Sequence, residues 1–285
     1  MGTTMQEVGF ADVKELRLLR ADLRAAAERM TSNEARFLVD EYYTMQRQRI
    51  RSANQVRALS EGAEPCSVLA RFSGTAGSME DVVRLALFAF ANESPLGKWA
   101  LAQMGIGPVI AAGLLAHIDI GRARTAGAVW AFAGLDPTRT WEKGQKRPHN
   151  AALKTLCWKI GESFVKVSGK DDAFYGRLYA ERKAYEVARN EAGDLADQAG
   201  TMVKKIPKHA QAATYKAGRL PDGHLHMRAK RWAVKIFLAH YWEVGKLLAG
   251  ETPPAPYAVA HQGHAHYIPP PGPRVWEQSA EGDKP

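Results

Sequence analysis

The sequence predicts an all-α protein, and three observations support that class. Apolar residues recur at intervals of three, four and seven along most of the chain, as they do on one face of an α-helix. Residues suited to helix capping precede several of these runs, and alternating strand patterns extend over a few residues at most. Prolines are concentrated after Gly250, which predicts an extended tail because proline excludes regular helix.

Composition narrows the class of partner. The 285 residues are 46% hydrophobic, enough for a sizeable core, and carry a formal net charge of +9. Such an excess favours a polyanion or a membrane surface, and no apolar run is long enough to span a bilayer. The two cysteines, Cys66 and Cys157, are expected to be core residues in a reducing, cytoplasmic compartment. Nucleic acid is therefore the expected partner, and a membrane is not.

Two segments are expected before the middle of the chain. Residues 1–60 are predicted to form a helical hairpin, whose second helix begins with a capping box of Thr31 and Glu34. Residues 61–94 begin with a stretch rich in glycine, serine and proline, which predicts a linker. An apolar helix capped by Ser78 is expected to follow that linker.

Residues 95–168 contain a helix-hairpin-helix pattern. Gly105 and Gly107 flank Ile106 between two helical stretches, and Pro108 stands where the second helix can begin. Both glycines are expected to adopt backbone angles that other residues avoid, while Ile106 points inward. Free amides and the positive end of a helix dipole then face one point, which suits a backbone phosphate. An ordinary turn between two helices is the alternative.

A group of basic residues follows the hairpin and is opposed by two acids. It consists of Arg139, Lys143, Lys146, Arg147, Lys154, Lys159, Lys166 and Lys170. The first four of these, with His149, are predicted to contact DNA backbone along with the hairpin, independently of base sequence and sensitively to salt. A second group of nine basic residues, between Lys204 and Lys235, is opposed by one acid.

Aromatic residues are interleaved with both basic groups. They are Trp141, Trp158, Tyr215 and Trp232, and rings in a basic groove can stack on nucleic-acid bases. Core aromatic residues beside solvated lysines are the alternative. For Trp158, which lies inside an apolar helix expected over residues 151–167, a core position is the prediction.

Residues 169–250 are predicted to form two long helices. The first is expected from Phe174 to about Gln198, and the second from about His226 to Leu248. Apolar residues at helical spacing mark both of them, so this region is expected to contribute a helical core.

Residues 251–285 are predicted to form a tail rich in proline and histidine. His261, His264 and His266 have the short spacing at which neutral imidazoles can bind zinc or another transition metal. A further ligand is not obvious, although Glu243 or His240 could supply one, and extended segments of this kind more often pack as loops on a helical surface. A divalent metal is therefore a minor alternative, and no cofactor is otherwise evident.

The segment from Met104 to about Val167 resembles the C-terminal domain of the insertion-sequence 110/116/902 transposases. The residues that carry the resemblance are Gly105-Ile106-Gly107-Pro108, then Ala133-Gly134-Leu135-Asp136-Pro137, and then Lys143-Gly144-Gln145-Lys146-Arg147. The resemblance implies an all-α DNA-binding domain used in recombination of mobile elements. By analogy with that family, a guide RNA is a conceivable second partner.

Two departures from the family pattern bear on catalysis. Members of the family begin with a ribonuclease-H-like domain whose acids hold divalent metal, whereas residues 1–95 read as helices without strand-borne acids. Members also carry a nucleophilic serine just before a glycine, and here Lys143 precedes Gly144. The resemblance therefore supports DNA binding, and no catalytic residue is assigned.

The sequence as a whole predicts a transposase-like DNA-binding protein of a mobile element or phage, acting in transposition or recombination. One alternative is a metal-dependent recombinase or nuclease with an unrecognised site. Another is a structural module in which the N-terminal helices form a homo-oligomer.

Overall fold

A computed structural model describes residues 14–62, 66–254 and 267–272, with side chains from residue 21 onward. Eleven helices and no strand occur among these residues, so the all-α prediction is confirmed. The helices are α1 (Lys14–Ala27), α2 (Ser32–Glu61), α3 (Ser67–Glu93), α4 (Pro95–Leu101), α5 (Pro108–His117), α6 (Ala126–Phe132), α7 (Ala151–Val167), α8 (Phe174–Glu191), α9 (Ala196–Lys205), α10 (Ala212–Lys216) and α11 (Asp222–Leu248).

The described residues form two compact units. The first comprises the described residues up to Leu101 together with Gly107–Asp119, and it contains α1 to α5. The second comprises Ala102–Ile106 and the described residues from Ile120 on, and it contains α6 to α11. The five-segment division expected from the sequence stays a prediction.

The start of α2 confirms the predicted capping box. The Thr31 Oγ1 atom accepts a hydrogen bond from the Glu34 amide at 3.3 Å, and Glu34 Oε2 accepts one from the Thr31 amide at 2.7 Å. Two amides that the helix itself leaves without acceptors are thereby satisfied.

The linker expected before Ser78 is wrong, because α3 already begins at Ser67. Ser78 lies inside the helix, where its hydroxyl donates to the Gly74 carbonyl at 3.3 Å. A Cβ atom at Gly77 would lie 3.3 Å from the Arg49 side chain of α2, so this glycine permits a close approach of the two helices. Packing of this kind overrides the weak helix propensity of glycine and serine.

Aromatic packing organises the second unit. Phe164 of α7 stacks on Tyr175 of α8, with ring centroids 5.0 Å apart, and meets Phe237 of α11 edge-on at 5.6 Å. All three residues are fully buried. Trp130 of α6 is fixed to the same core because its indole N–H donates to the Lys235 carbonyl at 2.9 Å.

The single helix expected from Phe174 to about Gln198 is divided into α8 and α9. Gly193 has φ +87°, in the left-handed region that favours glycine. The Gly193 and Asp194 amides donate back to carbonyls in the last turn of α8, an arrangement that ends helices. Apolar spacing continues past this glycine, so periodicity alone missed the break.

The two thiols differ in burial. Cys157 is buried as expected, and burial raises the pKa of its thiol to about 12. Cys66 is only partly buried at the start of α3, so its expected core position is wrong. Within the described ranges no helix is both long and apolar enough to cross a membrane.

Candidate nucleic-acid interface

Gly105 adopts the conformation that the hairpin pattern requires. Its φ is +96°, and its carbonyl accepts a hydrogen bond from the Ser163 hydroxyl of α7 at 2.5 Å. A Cβ atom at this position would lie 3.3 Å from the ring of Phe164. Both the backbone angle and the packing therefore favour glycine here.

Gly107 does not need to be glycine, which corrects the expectation for that residue. Its φ of −89° with ψ of 175° is extended backbone open to any residue, and an added Cβ would have no neighbour within 4 Å. Ile106 is buried at 4% exposure, and Pro108 occupies the first turn of α5, both as expected.

The start of α5 leaves two backbone amides without an acceptor in the helix. The Ala111 amide bonds to the Gly107 carbonyl at 3.0 Å, which closes the first helical turn. The amides of Val109 and Ile110 precede that bond and have no acceptor within the helix itself. Gly107 is exposed at this end of the helix. Phosphate binding at this point stays a proposal.

The basic loop, here residues 139–147, lies between two helix ends in the second unit. On its N-terminal side, α6 ends at Phe132 and is followed by Gly134 at φ +68°. The Gly134 amide donates to the Ala131 carbonyl at 3.1 Å, and the Leu135 amide donates to Trp130 at 2.9 Å. This is a Schellman ending, in which a left-handed glycine satisfies the last helical carbonyls.

Asp136 organises the turn that leads into the basic loop. Its Oδ1 atom accepts hydrogen bonds from the Thr138 amide at 2.9 Å and from the Thr138 hydroxyl at 2.7 Å. Its Oδ2 atom lies 3.7 Å from the guanidinium of Arg139. The bonds from Thr138 lower the pKa of Asp136, so the carboxylate is ionised at neutral pH.

Trp141 is held in position although it is 45% exposed. Its indole N–H donates to the Gln145 carbonyl at 2.8 Å. The guanidinium of Arg147 lies 5.4 Å from the centroid of its ring, within the range of a cation–π contact. Basic and aromatic side chains are therefore adjacent here, as the interleaved sequence predicts.

His149 and Asn150 close the loop on its C-terminal side. The Asn150 side chain caps α7 by accepting from the Leu153 amide at 3.0 Å, and its own amide donates to the Phe132 carbonyl at 2.9 Å. The His149 ring packs on Gly134, where an added Cβ would come within 2.9 Å of it. Burial and the nearby positive side chains lower the pKa of His149.

A pocket of about 200 Å³ lies among these helix ends. Its lining includes Gly134, Asp136, Arg139, Trp141, His149 and Lys154. Two of the residues predicted to bind DNA, Arg139 and His149, are thus brought together. Lys143 and Lys146 lie exposed in the loop, and neither forms an ion pair with any other described residue.

Two of the other aromatic residues, Trp158 and Tyr215, differ from the expectation in how exposed they are. Trp158 is 53% exposed, so its predicted core position is wrong. Lys230 Nζ lies 5.3 Å from the centroid of that ring and pairs with Glu162. Tyr215, expected as a stacking candidate, is buried. An amphipathic helix can place its large indole at the boundary of its buried face, which spacing alone does not distinguish.

The second basic group also contains cations that are part of the core. Lys230 is 3% exposed, and Arg228 pairs with the buried Glu186 at 2.9 Å. These two charges have carboxylate partners and are not free for phosphate. Exposed members of the group include Lys204, Lys205 and Lys208.

Three histidines of α11 each hydrogen-bond to a tyrosine through Nδ1. The Tyr–His pairs are Tyr215 with His224 at 3.3 Å, Tyr179 with His226 at 2.7 Å, and Tyr175 with His240 at 2.9 Å. No group of three potential metal ligands occurs within the described residues. His261, His264 and His266 lie outside the described residues.

Signals for the missed pocket residues are present in the sequence. Gly134 and Asp136 belong to the segment that carries the family resemblance, and Asp136 with Thr138 has the spacing of a side-chain turn. Lys154 belongs to the predicted basic group but lies one turn into α7. None of the three signals indicates a pocket until the chain is folded.

Comparison with known proteins identifies one region. Residues 100–174 match the family described as Transposase IS116/IS110/IS902 family. No curated protein and no solved structure matches the chain. The match includes the turn before α5, the basic loop and the pocket, and it supports a transposase-like role in mobile elements.

Proposed function

We propose that this chain is a transposase-related DNA-binding protein of a mobile element, which binds DNA backbone through the basic loop and the start of α5. The observation that carries the proposal is the position of the exposed, unpaired cations. Lys143, Lys146 and Arg147 have no carboxylate partner among the described residues, and all three lie within the matched residues 100–174.

Exposed cations that have no carboxylate partner are the ones that contribute most to phosphate binding. Each phosphate that a cation neutralises releases condensed counterions, so affinity falls as salt rises. Such contacts do not read bases, and binding is expected to be independent of sequence. The positive net charge of the chain favours encounter with any nucleic acid.

The test of the basic loop is a salt titration of duplex DNA binding, followed by fluorescence anisotropy from 50 to 200 mM salt. The variant carries Lys143→Gln, Lys146→Gln and Arg147→Gln. Its log–log salt slope is expected to be smaller than that of the unchanged protein by about 2.7, or 0.9 for each lost phosphate contact.

The matched control carries Lys204→Gln, Lys205→Gln and Lys208→Gln, which removes the same charge from exposed positions in the same unit. Its slope is expected to stay near that of the unchanged protein. Equal losses in both triple variants would show a general charge effect and contradict a role for the basic loop. A parallel series with duplex RNA separates DNA from an RNA partner.

The contribution of the α5 start is tested at Gly107. Because an added Cβ atom there meets nothing within 4 Å and the residue is exposed, substitution is expected to leave the fold intact. Gly107→Glu is expected to weaken duplex binding about ten-fold through repulsion of phosphate, whereas Gly107→Ala leaves it unchanged. Undiminished affinity in Gly107→Glu would remove the α5 start from the interface.

A second candidate function is self-association through the first unit. Phe37 of α2 and Phe72 of α3 are 64% and 56% exposed, and Ile50 is 47% exposed. Large exposed apolar side chains mark an interface where they form one contiguous patch, and these three are the candidates for such a patch. Light scattering of the full chain tests it: the combined changes Phe37→Gln and Phe72→Gln are expected to reduce the mass of any oligomer. A monomer at all concentrations would contradict this function.

A further inference from the structure

The pocket beside the basic loop combines two features that a phosphate contact alone does not need. It has an aromatic ring in Trp141 and an ionised acceptor in Asp136, next to the cations of Arg139 and Lys154. We propose that this pocket receives one unpaired base of a bound nucleic acid. The proposal rests on the proposed function, because the base is delivered by a strand already held on its backbone.

The indole of Trp141 provides the stacking surface. Its N–H bond to the Gln145 carbonyl fixes the ring, so little side-chain freedom is lost when a base stacks on it. Arg147 lies over the same ring at 5.4 Å, where a guanidinium can stack with a base or reach its phosphate. Every base has a π-face, so a site of this kind accepts any of them.

Asp136 gives the pocket a hydrogen-bond acceptor for a base edge. Thr138 occupies Oδ1 with two bonds, whereas the contact of Oδ2 with Arg139 is 3.7 Å long, beyond hydrogen-bond distance. Oδ2 therefore keeps the capacity to accept from an amino or ring N–H group. A carboxylate would repel a phosphate, so its place in the lining favours a base there.

The size and rim of the pocket agree with a single base. Its volume of about 200 Å³ is below the roughly 300–1,000 Å³ of pockets that enclose larger ligands. Arg139, Arg147 and Lys154 are exposed around it and can contact the phosphates that flank the inserted nucleotide. In a paired duplex the base faces are covered, so only an unpaired or extruded base has access.

The experiment compares two DNA duplexes of equal length with the full-length chain. One duplex is fully paired, and the other carries a single unpaired 2-aminopurine at its centre. The unpaired duplex is expected to bind about ten-fold more tightly, as the effect of stacking one base predicts. The fluorescence of 2-aminopurine is expected to fall on binding because the base stacks on the Trp141 ring.

Three variants identify the ring responsible. Trp141→Ala is expected to remove both the preference and the fluorescence change, while Trp141→Phe keeps most of each. Trp158→Ala changes another exposed tryptophan of the same unit and is expected to alter neither. Salt-sensitive binding of the paired duplex is expected to persist in Trp141→Ala and shows that this variant is folded.

The outcomes separate this inference from the proposed function. If the unchanged protein binds both duplexes equally, or if Trp141→Ala keeps the preference, the inference is overturned and backbone binding stands. If neither duplex binds at low salt, both proposals are overturned. If free 2-aminopurine nucleotide binds as tightly as the unpaired duplex, the pocket is a small-molecule site and delivery by a strand is contradicted.

Discussion

Gly105 and Gly107 carry the same side chain two residues apart, yet the structure restricts only one of them. Gly105 has a left-handed backbone and the Phe164 ring beside it, whereas Gly107 is extended and exposed. The sequence predicts the turn from the pair together. It cannot assign the restriction to one glycine, because φ depends on how the segment is held by α7.

This difference gives a prediction for stability. Gly105→Ala is expected to lower the free energy of unfolding by about 1–2 kcal/mol, through the positive φ and contact with Phe164. Gly107→Ala is expected to change it by less than about 0.5 kcal/mol. Urea unfolding of both variants measures the two values. Equal losses would contradict the assigned backbone conformations.

The hydrogen-bond partners of His240 determine which of its ring nitrogens carries the proton. Its Nε2 atom lies 2.8 Å from the Ile268 carbonyl, which can only accept, so Nε2 carries the proton. Nδ1 then accepts from the Tyr175 hydroxyl at 2.9 Å. Burial lowers the pKa of His240 to about 4, and the imidazole is neutral in the folded protein at pH 7.

The lowered pKa makes stability depend on pH with a defined sign. Unfolded His240 has a pKa near 6.5, so the unfolded chain binds the proton first as pH falls. The contribution of the neutral imidazole is present above pH 6.5 and is lost between about pH 6.5 and pH 4. Between pH 7.5 and pH 4.5 this loss amounts to roughly 2–3 kcal/mol.

Urea unfolding at those two pH values tests this expectation. The difference in unfolding free energy is expected to be roughly 2–3 kcal/mol smaller in His240→Asn than in the unchanged protein, because the amide does not titrate. His209→Asn is the control, since His209 is exposed in the same unit. An unchanged difference in His240→Asn would show that this imidazole is not the group responsible.

At the scale of helices, the pocket is assembled from two helix ends. The Schellman ending of α6 places Gly134 against His149, and the Asn150 cap begins α7 directly after that histidine. The last turn of α6 and the first turn of α7 each contribute one lining residue, Ala131 and Lys154. The pocket depends on where α6 stops and α7 starts, and the start of α7 at Ala151 agrees with the helix expected over residues 151–167.

The cap itself is open to test. Asn150→Ala is expected to lower the free energy of unfolding by about 1 kcal/mol, because the Leu153 amide loses its acceptor. Asn150→Asp keeps an acceptor and is expected to stay close to the unchanged protein. Thermal or urea unfolding measures both. A loss in Asn150→Asp as large as that in Asn150→Ala would argue against capping as the role of this side chain.

Helix content was easier to predict from the sequence than helix limits. The capping box of α2 and the proline of α5 mark starts through local chemistry, and both positions are confirmed. The first part of α3 was missed because its glycines and serines resemble a linker, while its helical form depends on packing with α2. The end of α8 was missed because apolar spacing continues beyond Gly193.

Part of the candidate site could also be predicted from local sequence. Arg139 and His149 were identified from the basic group, and both line the pocket. The role of Asp136 was not, because an acid in a basic segment has no distinguishing mark until Thr138 and Arg139 are placed around it. Whether Trp158 is buried depends on which neighbouring helix covers α7.

For the whole molecule, the count of 39 lysine and arginine residues overstates the number of cations available to a partner. Lys230 and Arg228 are counted in it but are paired with Glu162 and Glu186. A buried charge without its partner is costly, so these cations belong to the fold. The cations of the basic loop are exposed, and under the proposed function they are expected to determine how DNA binding responds to added salt.

Salt should therefore affect binding and folding differently. Raising salt from 50 to 200 mM is expected to weaken duplex binding about 40-fold if three phosphates are contacted. The melting temperature is expected to change by only a few degrees, because screening acts mainly on exposed charges and less on buried pairs such as Glu186 with Arg228. Anisotropy and thermal unfolding on the same samples compare the two. Parallel losses would mean that weaker binding reflects unfolding.

The order of the chain through the two units limits how the protein can be dissected. Residues 102–106 belong to the second unit, although α4 before them and α5 after them belong to the first. No single cleavage point therefore yields two intact halves. A fragment beginning at Ile120 lacks Gly105, and the Ser163 hydroxyl of that fragment loses the carbonyl to which it donates. To isolate the second unit intact, residues 102–106 have to be rejoined to the fragment that begins at Ile120, so that they lie beside α7 again. A circularly permuted chain is one way to do this.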